Sequence, residues 1–144
     1  MANIFDVAVY ILENIGESSA MKLQKLAYYS QAWSLVWDEE ELFSEDFEAW
    51  ANGPVVRNLY NKHRGMFKVD ADVFPEGDSD NLTADQKDTI DKVLEFYGDK
   101  TAQWLSNLTH KESPWKEARG TLEPMDNCSE IITKASIAEY YSAL

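Results

Sequence analysis

The chain has 144 residues and a formal net charge of −13, because 26 Asp and Glu residues outnumber 13 Lys and Arg residues. A hydrophobic share of 44% is enough to build a globular core, which excludes a disordered acidic tail. One cysteine excludes an internal disulfide and, with only two histidines, leaves too few soft ligands for a structural zinc site, so we expect no metal and no cofactor.

Two amphipathic helices are predicted at the start of the chain. Residues 3–15 place apolar side chains at helical spacing, with Asn3 as an N-cap and Gly16 as a stop. Residues 21–37 carry leucine, alanine, tyrosine and tryptophan around most of the helix circumference. A helix that is apolar on several sides has neighbours on several sides. We therefore expect this second helix to be the centre of the fold.

The next stretch predicts a turn, a short extended element and a third helix. An acidic run at residues 38–41 is followed by alternating apolar and polar residues, which favour a small β-hairpin or extended element near residues 42–51. Gly53 relaxes the backbone, and Pro54 suits the first position of a helix that we expect to end at Gly65. We expect His63, on that helix, to lie on the surface.

The second half of the chain adds further helices. Residues 66–81 are irregular and acidic, and we expect them to be the most mobile stretch. Helices are predicted from the capping box at Thr83 to a stop at Gly98, at about 101–108 and at about 136–141, with a further turn beginning at Ser113. Neither a linker nor a repeat interrupts them. We therefore expect one mainly α domain spanning residues 1–144, a compact bundle of about five to seven helices with a small β-hairpin or extended element near residues 42–51.

Charge and targeting signals limit the partners. The sequence shows neither a signal peptide nor an apolar run of membrane-spanning length, so we expect a cytoplasmic protein that does not contact membranes. The negative charge makes nucleic acid an unfavourable partner unless basic residues cluster in the fold. It makes a basic protein a favourable one, although acidity also keeps a small protein soluble without any role in partner choice.

Enzyme motifs are not found. The sequence contains no glycine-rich phosphate loop, nucleophile elbow or His-Glu-x-x-His pair, and acidic neighbours of Cys128 disfavour a thiolate. The aspartates of residues 70–80 do not match a calcium loop, because Pro75 stands where such a loop needs glycine. His110 could be an acid-base residue beside a carboxylate, or a half-buried histidine that fixes a corner. We expect the second role and therefore no enzyme activity.

Four segments resemble a known family. Residues 47–56 (FEAWANGPVV) resemble the Phe-x-Ala-Trp-x-x-Gly-Pro-Val signature of the Panacea domain, also called the SocA-like or GepA-like family. Residues 108–119 (LTHKESPWKEAR) resemble its second signature. Residues 21–32 (MKLQKLAYYSQA) are similar to its opening helix, and the final Ile137-x-x-Tyr140-Tyr141 is similar to its closing helix. These matches cover nearly the whole chain in the family's order.

The resemblance implies a helical antitoxin domain, usually encoded beside a toxin, that neutralises the toxin by protein contact. Family members accompany unrelated toxins, so the class of toxin stays open. One branch acts as an adaptor that delivers its toxin to a cytoplasmic protease, and this is an alternative mechanism here. A phage- or prophage-encoded regulator whose partner is not a toxin is another alternative.

Candidate partner-binding residues follow from the motifs and the charge. Protein interfaces are anchored most often by Trp, Tyr and Arg, and a charged rim steers association. An acidic rim would suit a basic toxin, with the anchors at its centre, although each aromatic anchor could instead belong to the core. The candidates are Trp50, Asn52, Pro54, Arg57, Tyr60, His110 and Trp115 as anchors and Glu39, Glu40 and Glu41 as rim. The oligomeric state stays open.

Overall fold

The computed structural model describes residues 2–123 and 125–144. They form seven α-helices and five short strands. The helices are α1 (Ile4–Ile15), α2 (Ala20–Trp37), α3 (Arg57–His63), α4 (Ala84–Tyr97), α5 (Ala102–Lys111), α6 (Ser113–Arg119) and α7 (Lys134–Ser142). The strands are β1 (Ser18–Ser19), β2 (Phe47–Trp50), β3 (Gly53–Val55), β4 (Lys68–Val69) and β5 (Ile131–Ile132). The predicted mainly α fold is confirmed.

Helix α2 is the centre of the molecule, as its pattern predicts. It packs against α1, α4, α5 and α7 and against the strand β3. Leu23, Leu26 and Tyr29 are fully buried, and each aliphatic side chain buried in this way contributes about 1.5–3 kcal/mol. Within the described residues, no helix combines the length and apolar character needed to cross a membrane.

Local capping signals set several helix ends where the sequence predicts them. The Asn3 side chain accepts from the Asp6 backbone N–H, and the Asp6 carboxylate accepts from the Asn3 N–H, which begins α1. Thr83 and Gln86 form the same reciprocal box at the start of α4. Each such cap is worth about 1 kcal/mol because it satisfies N–H groups that have no partner inside the helix.

The hairpin lies later in the chain than expected. Strands β2 and β3 pair antiparallel, with Glu48 opposite Val55 and Trp50 opposite Gly53. The prediction that Pro54 begins a helix is wrong, because Pro54 lies inside β3 and the helix α3 begins at Arg57. Proline has no N–H to donate, so an edge strand accepts it readily.

Side chains of α2 hold the outer edge of this hairpin. The Gln24 amide accepts from the Val56 N–H at 2.9 Å and donates to the Val56 carbonyl at 3.3 Å. The Lys25 Nζ donates to the Pro54 carbonyl at 3.3 Å. These bonds replace the strand pairing that an edge would otherwise lack. On the other side of β2 lies β5, a two-residue strand that is too short for its pattern to predict.

Residues 66–81 contain more regular structure than their composition suggests. Strand β4 pairs with β1, and two single-turn 3-10 helices follow at Ala71–Val73 and Ser79–Asn81. Phe74 is fully buried, and the Asp6 carboxylate accepts a hydrogen bond from the Asp78 N–H at 2.8 Å. This segment is therefore tied to α1.

Candidate functional site

Two adjoining concavities form the candidate site. The first has a volume of about 490 Å³ and the second about 380 Å³, and they share Met21, Asn52 and Tyr60. We call the two together the groove. The first is also lined by Trp50, Ala51, Val55, Arg57, Asn127, Cys128 and Ser129. The second is also lined by Ser19, Ala20, His63, Gly65, Met66, Phe67, Ala102, Gln103, Ser106 and His110.

Trp50, Arg57 and Tyr60 form one prearranged wall of the groove. The Arg57 guanidinium makes two hydrogen bonds to the Glu48 carboxylate, at 2.7 and 3.0 Å, and lies 5.3 Å from the centre of the Trp50 ring. The Trp50 indole N–H donates to the same carboxylate at 3.0 Å, and Tyr60 packs edge-on against Trp50. The hydrogen bonds from Arg57 lower the pKa of Glu48 below its usual value. Because a surface ion pair adds little stability, its main effect is to fix these side chains in place.

His110 and Trp115 fix the corner behind this wall. Their rings stack at 4.0 Å, and the Trp115 indole N–H donates to the Trp50 carbonyl at 2.8 Å. Trp115 is 6% exposed, so it supports the hairpin and presents almost no surface to a partner. His110 reaches the groove, but its Nε2 is buried and has no hydrogen-bond partner among the described residues. Burial lowers the pKa of His110, and the nearby charges of Lys25 and Arg119 add to the effect.

His63 is buried, so the prediction that it lies on the surface is wrong. It is 3% exposed, and its Nε2 lies 3.0 Å from the Gln24 amide nitrogen. Because the Gln24 nitrogen also donates to the Val56 carbonyl, it must be a donor towards His63, whose Nε2 then accepts as a neutral imidazole. Burial lowers the pKa of His63, which agrees with this protonation state.

Lys25 lies against Pro54 and Gly53 of the hairpin, close enough to His63 and His110 for its charge to lower their pKa values, and motif reasoning alone did not single it out. It is fully buried, and burial lowers its pKa from 10.5 to about 7. Gly53 leaves room for it: this glycine has a φ of 117°, and a Cβ there would come within 2.4 Å of the Lys25 side chain. The sequence did contain one signal: Lys25 interrupts the apolar pattern of α2, a helix expected to be buried on several sides. Because lysine is rarely fully buried, a lysine in such a helix is unusual.

Glu112 is a second buried charged group that sequence reasoning did not identify. Its Oε1 accepts from the Tyr29 hydroxyl at 2.7 Å and from the Tyr141 hydroxyl at 2.6 Å. Burial raises the pKa of Glu112, and the two hydroxyl donors oppose this rise. Because Glu112 immediately precedes α6, it joins α2, α6 and α7 and so supports the corner that carries His110 and Trp115.

The structure does not bring every candidate residue into the groove. Pro54 is buried in β3. Glu39, Glu40 and Glu41 follow the carboxyl end of α2, whereas the groove lies at its amino end; α2 has 18 residues and so spans about 27 Å. Glu40 and Glu41 line a separate concavity at the start of α4. The expected acidic rim is thus remote from the anchors.

The chemistry available in the groove suits binding. Its lining combines an arginine, two histidines, aromatic rings and thioethers. No group of three or more His, Cys, Asp or Glu residues among those described is arranged to hold a metal ion. The lone free cysteine, Cys128, lies at the margin of the first concavity.

Comparison with known proteins identifies the family. The family model for the antitoxin SocA-like, Panacea domain matches residues 23–116, which is more than half of the chain. No curated protein and no solved structure matches. The matched region includes most of α2, the β2–β3 hairpin, α3, α4 and α5, and it therefore contains the Trp50, Arg57 and Tyr60 wall. The chain belongs to the Panacea-domain family of SocA-like antitoxins.

Proposed function

We propose that this protein is the antitoxin of a toxin–antitoxin pair, and that it neutralises a protein toxin in the cytoplasm by direct contact through the groove. The observation that carries the proposal is the position of the family signature. Residues 47–56 fold into the hairpin that forms the groove wall, and Trp50 and Asn52 from this segment line the groove. The protein acts by occupying a surface of its partner, without catalysis.

The groove has the features of an anchor site. Trp, Tyr and Arg dominate the residues whose truncation most weakens protein complexes. Here Trp50, Arg57 and Tyr60 are held by one another and by Glu48. Side chains that are already ordered lose less conformational entropy on binding, so such a wall binds more tightly than a mobile one.

Co-expression with the neighbouring gene tests the proposal. We expect the wild-type protein to restore growth and to co-purify with the toxin. Tyr60→Ala should weaken both effects, because it removes a ring shared by the two concavities. Trp37→Ala is the matched control: Trp37 is 48% exposed but lies at the opposite end of α2. Equal loss of rescue in both variants, or none in Tyr60→Ala, would reject the groove as the contact surface.

The lifetime of the toxin separates direct occlusion from delivery to a protease. If the antitoxin acts by occlusion, the half-life of the toxin in cells is unchanged or longer when the antitoxin is present. If the antitoxin is an adaptor, the half-life becomes shorter, and deletion of the protease restores it. A neighbouring gene whose product is harmless would favour a regulatory binding protein instead.

A further inference from the structure

The stretches of the chain that line most of the groove are basic, whereas the whole protein is acidic. Three stretches of the chain, residues 18–37, 49–69 and 100–111, supply all of its lining except Asn127, Cys128 and Ser129. These stretches contain none of the 26 Asp and Glu residues and eight of the 13 Lys and Arg residues. The eight are Lys22, Lys25, Arg57, Lys62, Arg64, Lys68, Lys100 and Lys111.

No Asp or Glu is among the described lining residues, although Asp126 and Glu130 flank the lining residues 127–129 in the sequence. Glu48 pairs with Arg57 and Glu76 with Lys62, but neither carboxylate lines the groove. The amino-terminal ends of α2 and α5, which carry no acidic residue in their first turns, also line the groove and favour negative charge there.

We propose that the groove receives an acidic, partly apolar polypeptide segment of the partner protein. This inference rests on the proposed function and names the chemistry of the segment that the toxin inserts. A carboxylate on the segment meets the Arg57 guanidinium, which is 53% exposed even while it pairs with Glu48. The local charge of the segment does not have to match the net charge of the toxin, so a toxin that is basic as a whole can still present an acidic segment.

The apolar lining favours a polypeptide over a nucleic acid. Phe67 is 76% exposed and Met66 is 47% exposed, and both line the second concavity together with Met21 and Tyr60. Exposed thioether and aromatic groups beside a groove are typical of surfaces that take up apolar side chains. Polyanion binding depends instead on several Lys and Arg contacts to phosphate, and Arg57 is the single Lys or Arg in the described lining.

Selection from a random peptide library displayed on phage tests the proposal without knowledge of the toxin. We expect the full-length protein to enrich peptides rich in Asp and Glu that also carry aromatic or aliphatic residues. A synthetic peptide from the selection should bind about tenfold more weakly or worse to Arg57→Glu, and more weakly as salt rises, because the contact is charged.

Two further variants test whether the peptide responds to charge near the groove or to the charge of the whole protein. Arg64→Glu with Lys68→Glu reverses two charges on either side of the lining residues 65–67 and replaces no lining residue, and we expect it to weaken binding of the same peptide. Lys92→Glu makes the same charge change as Arg57→Glu, but on the exposed face of α4, and should leave binding within about twofold, since surface charges beyond about 8 Å are screened at physiological salt. Circular dichroism and melting temperature report whether each variant is folded.

Four outcomes would overturn the proposal. They are enrichment of basic or charge-neutral peptides, equal binding by all folded variants, Arg57-dependent binding of a labelled uridine-rich RNA, and self-association that Arg57→Glu abolishes. The growth assay is independent of this experiment. Rescue by a protein whose groove selects no acidic peptide would reject this inference alone, whereas acidic selection without any rescue would reject the proposed function.

Discussion

Replacing Lys25 by methionine should change how the stability of the protein depends on pH. Burial lowers the pKa of Lys25 from 10.5 to about 7, so between these pH values the unfolded chain holds a proton that the folded chain has released. The folded state therefore gains stability as the pH rises through this window. Each unit of pKa difference between the unfolded and the folded chain corresponds to about 1.4 kcal/mol in the free energy of unfolding. The lowering from 10.5 to about 7 therefore gives a full effect of about 5 kcal/mol.

The comparison of the wild type with Lys25→Met between pH 7 and pH 9 isolates this lysine, since every other titrating group is common to the two proteins. Histidines titrate mainly below the range and tyrosines above it. Over these two pH units the wild-type protein should gain about 2 kcal/mol in free energy of unfolding. Lys25→Met removes this dependence. At pH 7 the wild-type protein still bears most of the cost of about 5 kcal/mol for burying Lys25, and the variant does not. After about 1 kcal/mol is subtracted for the lost hydrogen bond to the Pro54 carbonyl, the variant should be more stable by about 3 kcal/mol.

Urea denaturation followed by tryptophan fluorescence at pH 7, 8 and 9 measures both effects. Lys116→Met, at an exposed position of α6, is the control and should retain the wild-type dependence on pH. A wild-type stability that stays constant over this range would show that Lys25 is not buried as described. A Lys25→Met variant that keeps the wild-type slope would assign the slope to another group.

Three further predictions follow from the same structure. Glu112→Ala should cost about 2–4 kcal/mol of stability in urea denaturation, because two buried tyrosine hydroxyls lose their acceptor, whereas Glu112→Gln, which keeps an acceptor oxygen, should cost less. Gly53→Ala should lower the melting temperature more than Gly65→Ala, since both glycines have positive φ but only the first lacks space for a Cβ; equal losses would refute the clash with Lys25. In binding kinetics with the toxin, Arg57→Ala should mainly speed dissociation, whereas replacing Glu39, Glu40 and Glu41 by Gln should leave both rates nearly unchanged, because these residues lie at the opposite end of α2 from the groove; slower association of the triple variant would return the acidic turn to the mechanism.

The sequence by itself determined the helical content and several helix ends. The capping boxes at Asn3 and Thr83 act within a few residues, so they form wherever the local sequence permits. The apolar circumference of α2 predicted a central helix because only contact with several neighbours can bury so many sides. The motifs also indicated the family, and they placed Trp50, Arg57 and Tyr60 among the candidates that do line the groove.

Only the tertiary structure decided which polar groups are buried. Lys25 meets the Pro54 carbonyl 29 residues away, Gln24 meets His63 at a separation of 39, and Tyr29 meets Glu112 at a separation of 83. No local pattern encodes such pairs, because each depends on how α2 packs against elements from distant parts of the chain.

The fold also decided which stretches of the chain line the groove. Along the sequence the acidic turn at residues 38–41 lies close to the Trp50 hairpin, and this proximity predicted an acidic rim around the anchors. In three dimensions the length of α2 separates them, and the acid-free stretches come together at its amino end. A rigid helix places its two ends far apart, whatever the order of the segments that follow it.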